Sequence, residues 1–348
     1  MDALRSQGWQ AFHDVVERHR DFLLTSHVFP EGDSIGSEIA LGLYLKDRGK
    51  RVRILNPSAA RDCYSYLLNL YPVHDLGRNG SSPIPLEAQV VVAVDVGTWD
   101  YMGPLAELLR NSRLPIVAID HHHPGPNFSD LGIVDPSASS TGEMIYQYLC
   151  WAGATITPEI AQALYTSVMF DTWGLRLPQT ANSTVLVAAE LLRHGADHAV
   201  VSRSIFQNES YQRLHLYQRA LHGLHQERGG RIAWLSIPNE VFVDTGTDIH
   251  DGDGILDSLL PIAEIEVCVL FREVAGLGCR VTFRSKGQHD VGAIARQLGG
   301  GGRITAAGVF LPISLDEAQD IVLRIIRDLY TETVAACVPI SRTGSLRI

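Results

Sequence analysis

Two kinds of pattern alternate along the chain as far as Gly195. Short runs, 22-FLLTS-26, 51-RVRIL-55, 89-QVVVAVDV-96 and 116-IVAID-120, are near-continuously apolar. Strands that read this way are covered on both faces. Helical periodicity fills the gaps at 34–49 and 101–112. After the fourth run the pattern turns helical at 140–153, 158–174 and 183–195, and the first of these opens on a Ser-Thr-x-Glu capping signal. Strand–helix alternation predicts an α/β fold: an N-terminal parallel-sheet domain with helices on both faces. Residues 197–229 read as a polar, amphipathic helical link to a smaller α/β domain. That domain is predicted from strands at 231–237, 265–274, 278–285 and 307–313, and helical stretches at 254–262, 290–298 and 315–330. The predicted division is 1–195, a link at 196–228, a second domain at 229–331 and a loosely held tail at 332–348.

Composition narrows the picture. With 348 residues, 45% hydrophobic and 20% charged, the chain is long enough for two cores. A formal net charge of −10 argues against gripping long duplex nucleic acid, which needs a broad basic face. A short phosphorylated ligand held by a few local cations remains compatible with it. Cys63, Cys150, Cys268, Cys279 and Cys337 are scattered without a CxxC pair, as suits reduced thiols rather than a disulfide framework. The N-terminus is charged throughout, unlike a signal peptide, and no apolar run reaches the length of a membrane span. A cytoplasmic protein without membrane attachment is the expectation.

Chemistry enters at the strand ends. The first run leads into 27-HVFPEGDSIGS-37, where His27, Glu31 and Asp33 crowd together. The third ends on Asp95 and the fourth on 120-DHHH-123. In an open parallel sheet, ligands bind beyond the carboxyl ends of the strands, so these clusters are predicted to share one edge. A further acid, Asp171, interrupts the apolar helix 161–174, where a lone carboxylate is costly. Mixed imidazole and carboxylate groups suit Mn²⁺, Fe²⁺, Co²⁺ or Mg²⁺ more than a closed structural zinc. Each residue has a plain structural alternative: Asp95 as a turn former, Asp33 as a helix cap, His27 as a satisfied interior histidine, Asp171 as a hydrogen-bonded bundle residue. Four such anomalies of one chemical type argue jointly for a metal centre.

These stretches resemble the four motifs of the DHH phosphoesterases: His-x-x-Pro-acid-x-Asp at 27–33, Val-Asp at 94–95, Asp-His-His at 120–122 and Asp-Thr at 171–172. Downstream, 281-VTFRSKG-287 followed by 299-GGGGRITAAG-308 resembles the associated DHHA1 domain. Within that superfamily the chain is most similar to the nanoRNase and pAp-phosphatase branch. The resemblance implies two divalent ions, Mn²⁺ foremost with Mg²⁺ and Co²⁺ as alternatives. His27, Glu31, Asp33, Asp95, His121 and Asp171 would be their ligands. It implies that Asp120 orients its neighbours and that His122 faces the scissile phosphate. Arg284, Ser285, Gly300, Gly301, Gly302 and Arg303 would bind a substrate phosphate or terminal nucleotide. Paired cations about 3.5–4 Å apart suit in-line attack on a phosphoester. Glycine lets backbone N–H groups approach an anion, although a flexible linker is the alternative for that run.

The expected substrates are short RNA oligonucleotides or nucleotide bisphosphates, and a homodimer is compatible with the pattern. Hydrolysis of linear or cyclic dinucleotides, and nucleotide binding without catalysis, are the alternatives. The chain departs from the family pattern at Glu31 (usually Asp), Tyr101 (often Arg), Trp173 (often Gly) and Arg303 (usually His).

Overall fold

The computed structural model describes residues 3–77, 87–122 and 128–336. The chain divides into two units, Met1–Asn208 and Glu209–Ile348. His123 and the tail beyond Ala336 lie outside the described residues.

In the first unit the four apolar runs become β1 (Asp21–Thr25), β2 (Arg51–Asn56), β4 (Val90–Val94) and β5 (Ile116–Asp120). Two short strands, β3 (Val73–Asp75) and β6 (Leu131–Val134), close the edges of a six-stranded sheet ordered β3-β2-β1-β4-β5-β6. Every pairing in it is parallel. The continuous apolar runs have the predicted cause, because both faces of the sheet are covered. Leu24, Val92 and Ile119 face a large core with α1 (Ala3–Arg18), α2 (Gly32–Asp47), α5 (Thr141–Trp151), α6 (Pro158–Asp171) and α7 (Asn182–Arg193). Leu23, Val91 and Ala118 face a smaller core with α4 (Pro104–Ser112). A one-turn α3 (Ser65–Leu68) and α8 (His198–Phe206) complete the unit.

Strand order turns back between β1 and β4. In an open sheet that reversal leaves a crevice beyond the strands' carboxyl ends. The loops that carry His27 and Asp95 leave the sheet at those two strands. Helix α1 has no counterpart among the expected elements. Its Trp9, Phe12 and Val16 are fully buried in the large core.

The second unit carries a mixed sheet ordered β11-β12-β10-β9-β8-β7. Its strands are β7 (His225–Glu227), β8 (Ile232–Ile237), β9 (Val267–Val274), β10 (Gly278–Ser285), β11 (Gly301–Gly302) and β12 (Ala306–Leu311). One face packs on α11 (Val291–Gln297) and α12 (Leu315–Ala336). The other packs on α9 (Tyr211–His222) and α10 (Asn239–Thr245). Residues expected to form one helical link are thus split between α8 in the first unit and α9 in the second.

The glycine run is a built turn, not a linker. Gly301 and Gly302 pair with Gly308 and Ala307. Gly302 has φ +139°, and a Cβ there would lie 2.4 Å from Ala307 Cα. No described helix is long and apolar enough to cross a membrane. Cys63, Cys150, Cys268 and Cys279 are free thiols.

Candidate metal centre

Four elements deliver carboxylates and imidazoles to one place in the first unit. Asp33 lies in the first turn of α2, Asp95 directly after β4, Asp120 and His121 at the end of β5, and Asp171 at the last position of α6. His121 Nε2 lies 3.1 Å from Asp171 Oδ2, 3.4 Å from Asp33 Oδ2 and 3.5 Å from Asp95 Oδ1. One imidazole nitrogen can donate a single proton, so it cannot satisfy three carboxylates. Ligand atoms of Asp33, His121 and Asp171 all lie within 4.8 Å of one another, as do those of Asp95, Asp120, His121 and His122. His27 Nε2 sits 3.5 Å from Asp95 Oδ2, beside these two groups.

Close helix packing makes the convergence possible. At Gly36 of α2, a Cβ would fall 2.3 Å from the Ala163 carbonyl of α6. Only glycine lets the two backbones approach this closely, and that approach sets Asp33 against the end of the helix bearing Asp171. An acid at a helix C-terminus opposes the macrodipole, so Asp171 is badly placed for stability and well placed for a cation. Asp95 adopts φ +57°, a left-handed backbone that few residues other than glycine and asparagine tolerate cheaply. Backbone strain of this kind is concentrated at functional sites.

Electrostatics within the cluster is unbalanced. Two unit charges about 4 Å apart repel by about 4 kcal/mol at an effective dielectric constant of about 20. Burial, reinforced by the charges of Asp95 and Asp171, pushes the Asp33 carboxyl well above the ordinary carboxylate range. Burial alone would raise Asp95 too, but hydrogen bonds to His121 and His27 outweigh it and hold that group well below its usual value. Burial would lower His27, yet the hydrogen bond and charge of Asp95 lift it to about 9. Asp120 Oδ2 is buried without a hydrogen-bond partner. An orphaned buried oxygen, a carboxyl pushed toward its neutral form and an imidazole holding its proton are what such a cluster shows when cations are its natural counter-charge. The donor set of nitrogen and carboxylate oxygen fits a divalent transition ion or Mg²⁺.

His122 is distinct from its neighbour. Its Nδ1 lies 2.8 Å from Asp120 Oδ1, and its side chain is 41% exposed, against 0% for His121. Asp120 thus fixes the ring and leaves Nε2 on the far side. Glu31, the N-cap of α2, is exposed and belongs to neither clustered group.

Several contributors were absent from the expectations. Ser34 Oγ donates to Asp95 Oδ2 at 2.7 Å. Asp33 accepts from Thr141 N at 2.8 Å and Gly142 N at 3.1 Å, both at the N-terminus of α5, and from the Ser167 hydroxyl. The capping signal did mark that terminus: Ser140 Oγ accepts from Glu143 N at 3.0 Å. Glu143 itself turns to Ser139. Asp33 therefore binds a neighbouring helix instead of capping its own, which begins at Gly32.

Glu38 was missed as well. It is fully buried in α2, its Oε2 accepts from Asn56 Nδ2 at 2.8 Å, and its Oε1 has no partner. Burial lifts its pKa from 4.5 to about 8, against the opposing Asn56 bond. Below pH 4.5 both folded and unfolded chains hold this proton; between 4.5 and about 8 only the folded chain does, so stability falls as pH rises through that window. Glu38→Gln removes the loss. In metal-free protein the variant should melt within about 2 °C of the parent at pH 5 and about 4 °C or more above it at pH 8.5. Equal shifts at both pH values in thermal melts would count against a neutral Glu38.

In the second unit, Arg284 Nε bonds Asp257 Oδ1 at 3.1 Å. Ser285 is buried and its hydroxyl donates to the carbonyls of His289 and Ile304 at 2.8 and 2.9 Å, bracing the loop that carries Arg303. Gly300 precedes the β11 pairing, and Arg303 N closes a turn onto Ala306 O at 2.7 Å. A fully buried Arg272, also unforeseen, is held by Asp253, Thr282 and the Ile249 carbonyl.

The family model for the DHH family, N-terminal domain, matches residues 21–168, and that for the DHHA1 domain matches 239–328. A Thermus thermophilus protein, "Bifunctional oligoribonuclease and PAP phosphatase NrnA", is 30% identical over 315 residues, covering 88% of this chain and 90% of its own. The chain belongs to the DHH family. Its relatives of the same description include one from Bacillus subtilis, 26% identical over 92% of this chain and 95% of that protein. The B. subtilis "Cyclic-di-AMP phosphodiesterase GdpP" is also 26% identical, over 89% of this chain but only 48% of that protein. The same fold recurs in a crystal structure of an exopolyphosphatase-related protein from Bacteroides fragilis, with TM-score 0.83, 24% identity, and coverage of 94% of this chain and 98% of that one.

Proposed function

We propose that this DHH-family protein is a metal-dependent phosphoesterase that hydrolyses short oligoribonucleotides, the 3'-phosphate of 3'-phosphoadenosine 5'-phosphate, or both. The observation that carries the reading is the convergence of Asp33, Asp95 and Asp171 on His121 Nε2 at 3.1–3.5 Å, an arrangement with more negative charge than its imidazoles neutralise. The NrnA proteins, similar along nearly their whole length, supply the substrate class.

In this reading Asp33, Asp95, His121 and Asp171 hold a pair of divalent ions, Mn²⁺ foremost, with His27 beside Asp95 and Glu31 as an outlying carboxylate. When bound, such ions neutralise charge on the phosphoryl oxygens and make water nucleophilic near neutral pH. Asp95, bonded by Ser34, has one oxygen toward His27 and the other toward His121, so it would be the carboxylate shared between ions held on those two sides. Asp120 holds His122 Nδ1, which aligns Nε2 to hydrogen-bond a phosphate oxygen or donate a proton to the leaving alkoxide. Arg284, Ser285, Gly300, Gly301, Gly302 and Arg303 are assigned to substrate binding. The Arg303 guanidinium can fork onto phosphate oxygens.

The similarity to GdpP favours a second reading, phosphodiesterase activity on cyclic dinucleotides. A substrate panel separates them. Purified protein with Mn²⁺ is expected to release mononucleotide from a diribonucleotide and inorganic phosphate from 3'-phosphoadenosine 5'-phosphate, with cyclic dinucleotide and pyrophosphate turned over at least about 100-fold more slowly in kcat/KM. Preferential turnover of the cyclic dinucleotide would transfer the assignment to the second reading, and turnover of none would end both.

A further inference from the structure

The sheet of the second unit has one face that its cores leave half open. Along β10 and β12, Val281, Phe283, Ala307 and Val309 are buried in the core that contains α11 and α12. Side chains alternate across a strand, so Arg280, Thr282, Arg284, Ala306, Gly308 and Phe310 share the opposite face. On that side the apolar core takes Cys268 and Leu270 of β9 and, among the described residues, no member of β10 or β12. Register fixes what stands beside what: Arg284 is paired with Ala306, Thr282 with Gly308, and Arg280 with Phe310.

The three rungs are not equally occupied. Arg284 bonds Asp257, and Thr282 accepts from Arg272 Nη2 at 2.7 Å. Arg280 is half-buried and makes no hydrogen bond or ion pair among the described residues. Its charge acts on Asp253, but that carboxylate is already held by Arg272 Nη1 at 2.6 Å. The same fully buried Arg272 is the partner of Arg280 across β9 and β10. Like charges on directly paired positions destabilise a sheet, and an anion bound at Arg280 would offset that repulsion. On the other side of Arg280, Phe310 is 49% exposed and belongs to neither core. A single exposed phenylalanine is ordinary. One held in register beside an uncompensated arginine, on a strand whose other residues on that face are alanine and glycine, is an aromatic platform at the end of a low floor.

We infer that Arg280 and Phe310 form a subsite for a further nucleotide of an oligonucleotide chain, Arg280 taking its phosphate and Phe310 stacking on its base. The inference deepens the phosphoesterase reading above and takes its substrate class from it. Arg284 is assigned there to substrate binding, and Arg280 lies further along the same strand, about 13 Å away at about 3.3 Å per residue. A ligand with one nucleoside occupies the Arg284 rung, and a longer chain running along β10 reaches Arg280 and Phe310. A guanidinium forks onto any phosphate and an aromatic face stacks on any base, so the subsite responds to chain length and not to sequence.

The test compares a triribonucleotide with 3'-phosphoadenosine 5'-phosphate on wild type, Arg280→Gln and Phe310→Thr. Both positions lie outside the cores, so each variant should melt within about 2 °C of wild type. With Mn²⁺, each is expected to raise KM for the triribonucleotide about tenfold, the lower part of the range for stacking losses, and to leave KM for the bisphosphate within about twofold. Calorimetric titration of the triribonucleotide into metal-free protein makes the comparison without turnover. Each variant should bind about tenfold more weakly, and the slope of log affinity against log salt should be shallower by about 0.7 in Arg280→Gln and unchanged in Phe310→Thr. Equal losses on both substrates, or none on either, overturn the inference, as does an unchanged salt slope in Arg280→Gln or a wild type that binds no triribonucleotide. Wild type that binds the triribonucleotide but hydrolyses neither substrate refutes the phosphoesterase reading, a different failure. Should Phe310→Thr fail to fold, Phe310→Leu carries the stacking measurement.

Discussion

Asp95→Asn is expected to lower kcat/KM for any hydrolysed phosphoester by about 1,000-fold or more, which is about 4 kcal/mol of transition-state stabilisation. Asparagine is the informative replacement. It keeps the shape of the side chain and tolerates φ +57°, where alanine would add a backbone penalty of its own. Its amide can still accept from Ser34, which donates to Asp95 at 2.7 Å. What it removes is the negative charge lying between His27 and His121. Circular dichroism and melting of the metal-free variant should therefore stay near the parent's while metal-dependent turnover collapses. A variant retaining more than about a tenth of parental kcat/KM at saturating metal would remove Asp95 from the bridging role.

The parts of this site that sequence pattern exposes are those where chemistry and hydrophobicity collide. Apolar runs ending on Asp95 and on Asp120 with three histidines stand out because a covered strand has no ordinary reason to end that way. The four central strands were legible for the same reason. β1, β4 and β5 are buried on both faces throughout, so their runs are continuous, whereas β2 is buried only over its second half. Edge strands β3 and β6 have three and four residues and too little two-sided burial to leave such a signature. Helix α1 was legible in principle, since Trp9, Phe12 and Val16 recur at helical spacing. The helix's net polarity masks that spacing.

The small polar residues around the ligands were less visible. Ser34, Ser37 and Glu38 occupy positions i, i+3 and i+4 of a helix buried along nearly its whole length from Gly32 to Leu45. That polar stripe is a signal, and Ser37 meets Asp33 one turn back in the same helix, but the partners of Ser34 and Glu38, Asp95 and Asn56, come from elsewhere in the fold. No spacing along the chain announces them. Thr141 and Ser167 likewise reach Asp33 across 108 and 134 residues. A signature such as Arg284-Ser285 flags a place without its physics: here the serine braces a loop and the arginine pairs with Asp257.

Removal of divalent metal should abolish hydrolysis, and its return should restore activity while releasing protons. The sign follows from the metal-free groups. Asp33 sits well above the carboxylate range through burial and the charges of Asp95 and Asp171. His27 is lifted to about 9 by Asp95 against the opposing effect of burial. At pH 7 His27 holds a proton that must leave before a cation can use its lone pair, and the upward shift of Asp33 favours its proton in the same sense. Metal binding therefore competes with protons, and apparent affinity should rise with pH up to about 9, then level off once His27 is neutral. Titration of Mn²⁺ into metal-free protein at pH 7, in two buffers of different ionisation enthalpy, should give at least about one proton released per protein. The Asp95→Asn variant should release fewer, because its loss lets His27 and Asp33 return toward their ordinary values before the ion arrives. Proton-free binding with flat pH dependence would mean that the cluster takes its cation without these two groups, and the ligand set would have to be redrawn around Asp120 and His122.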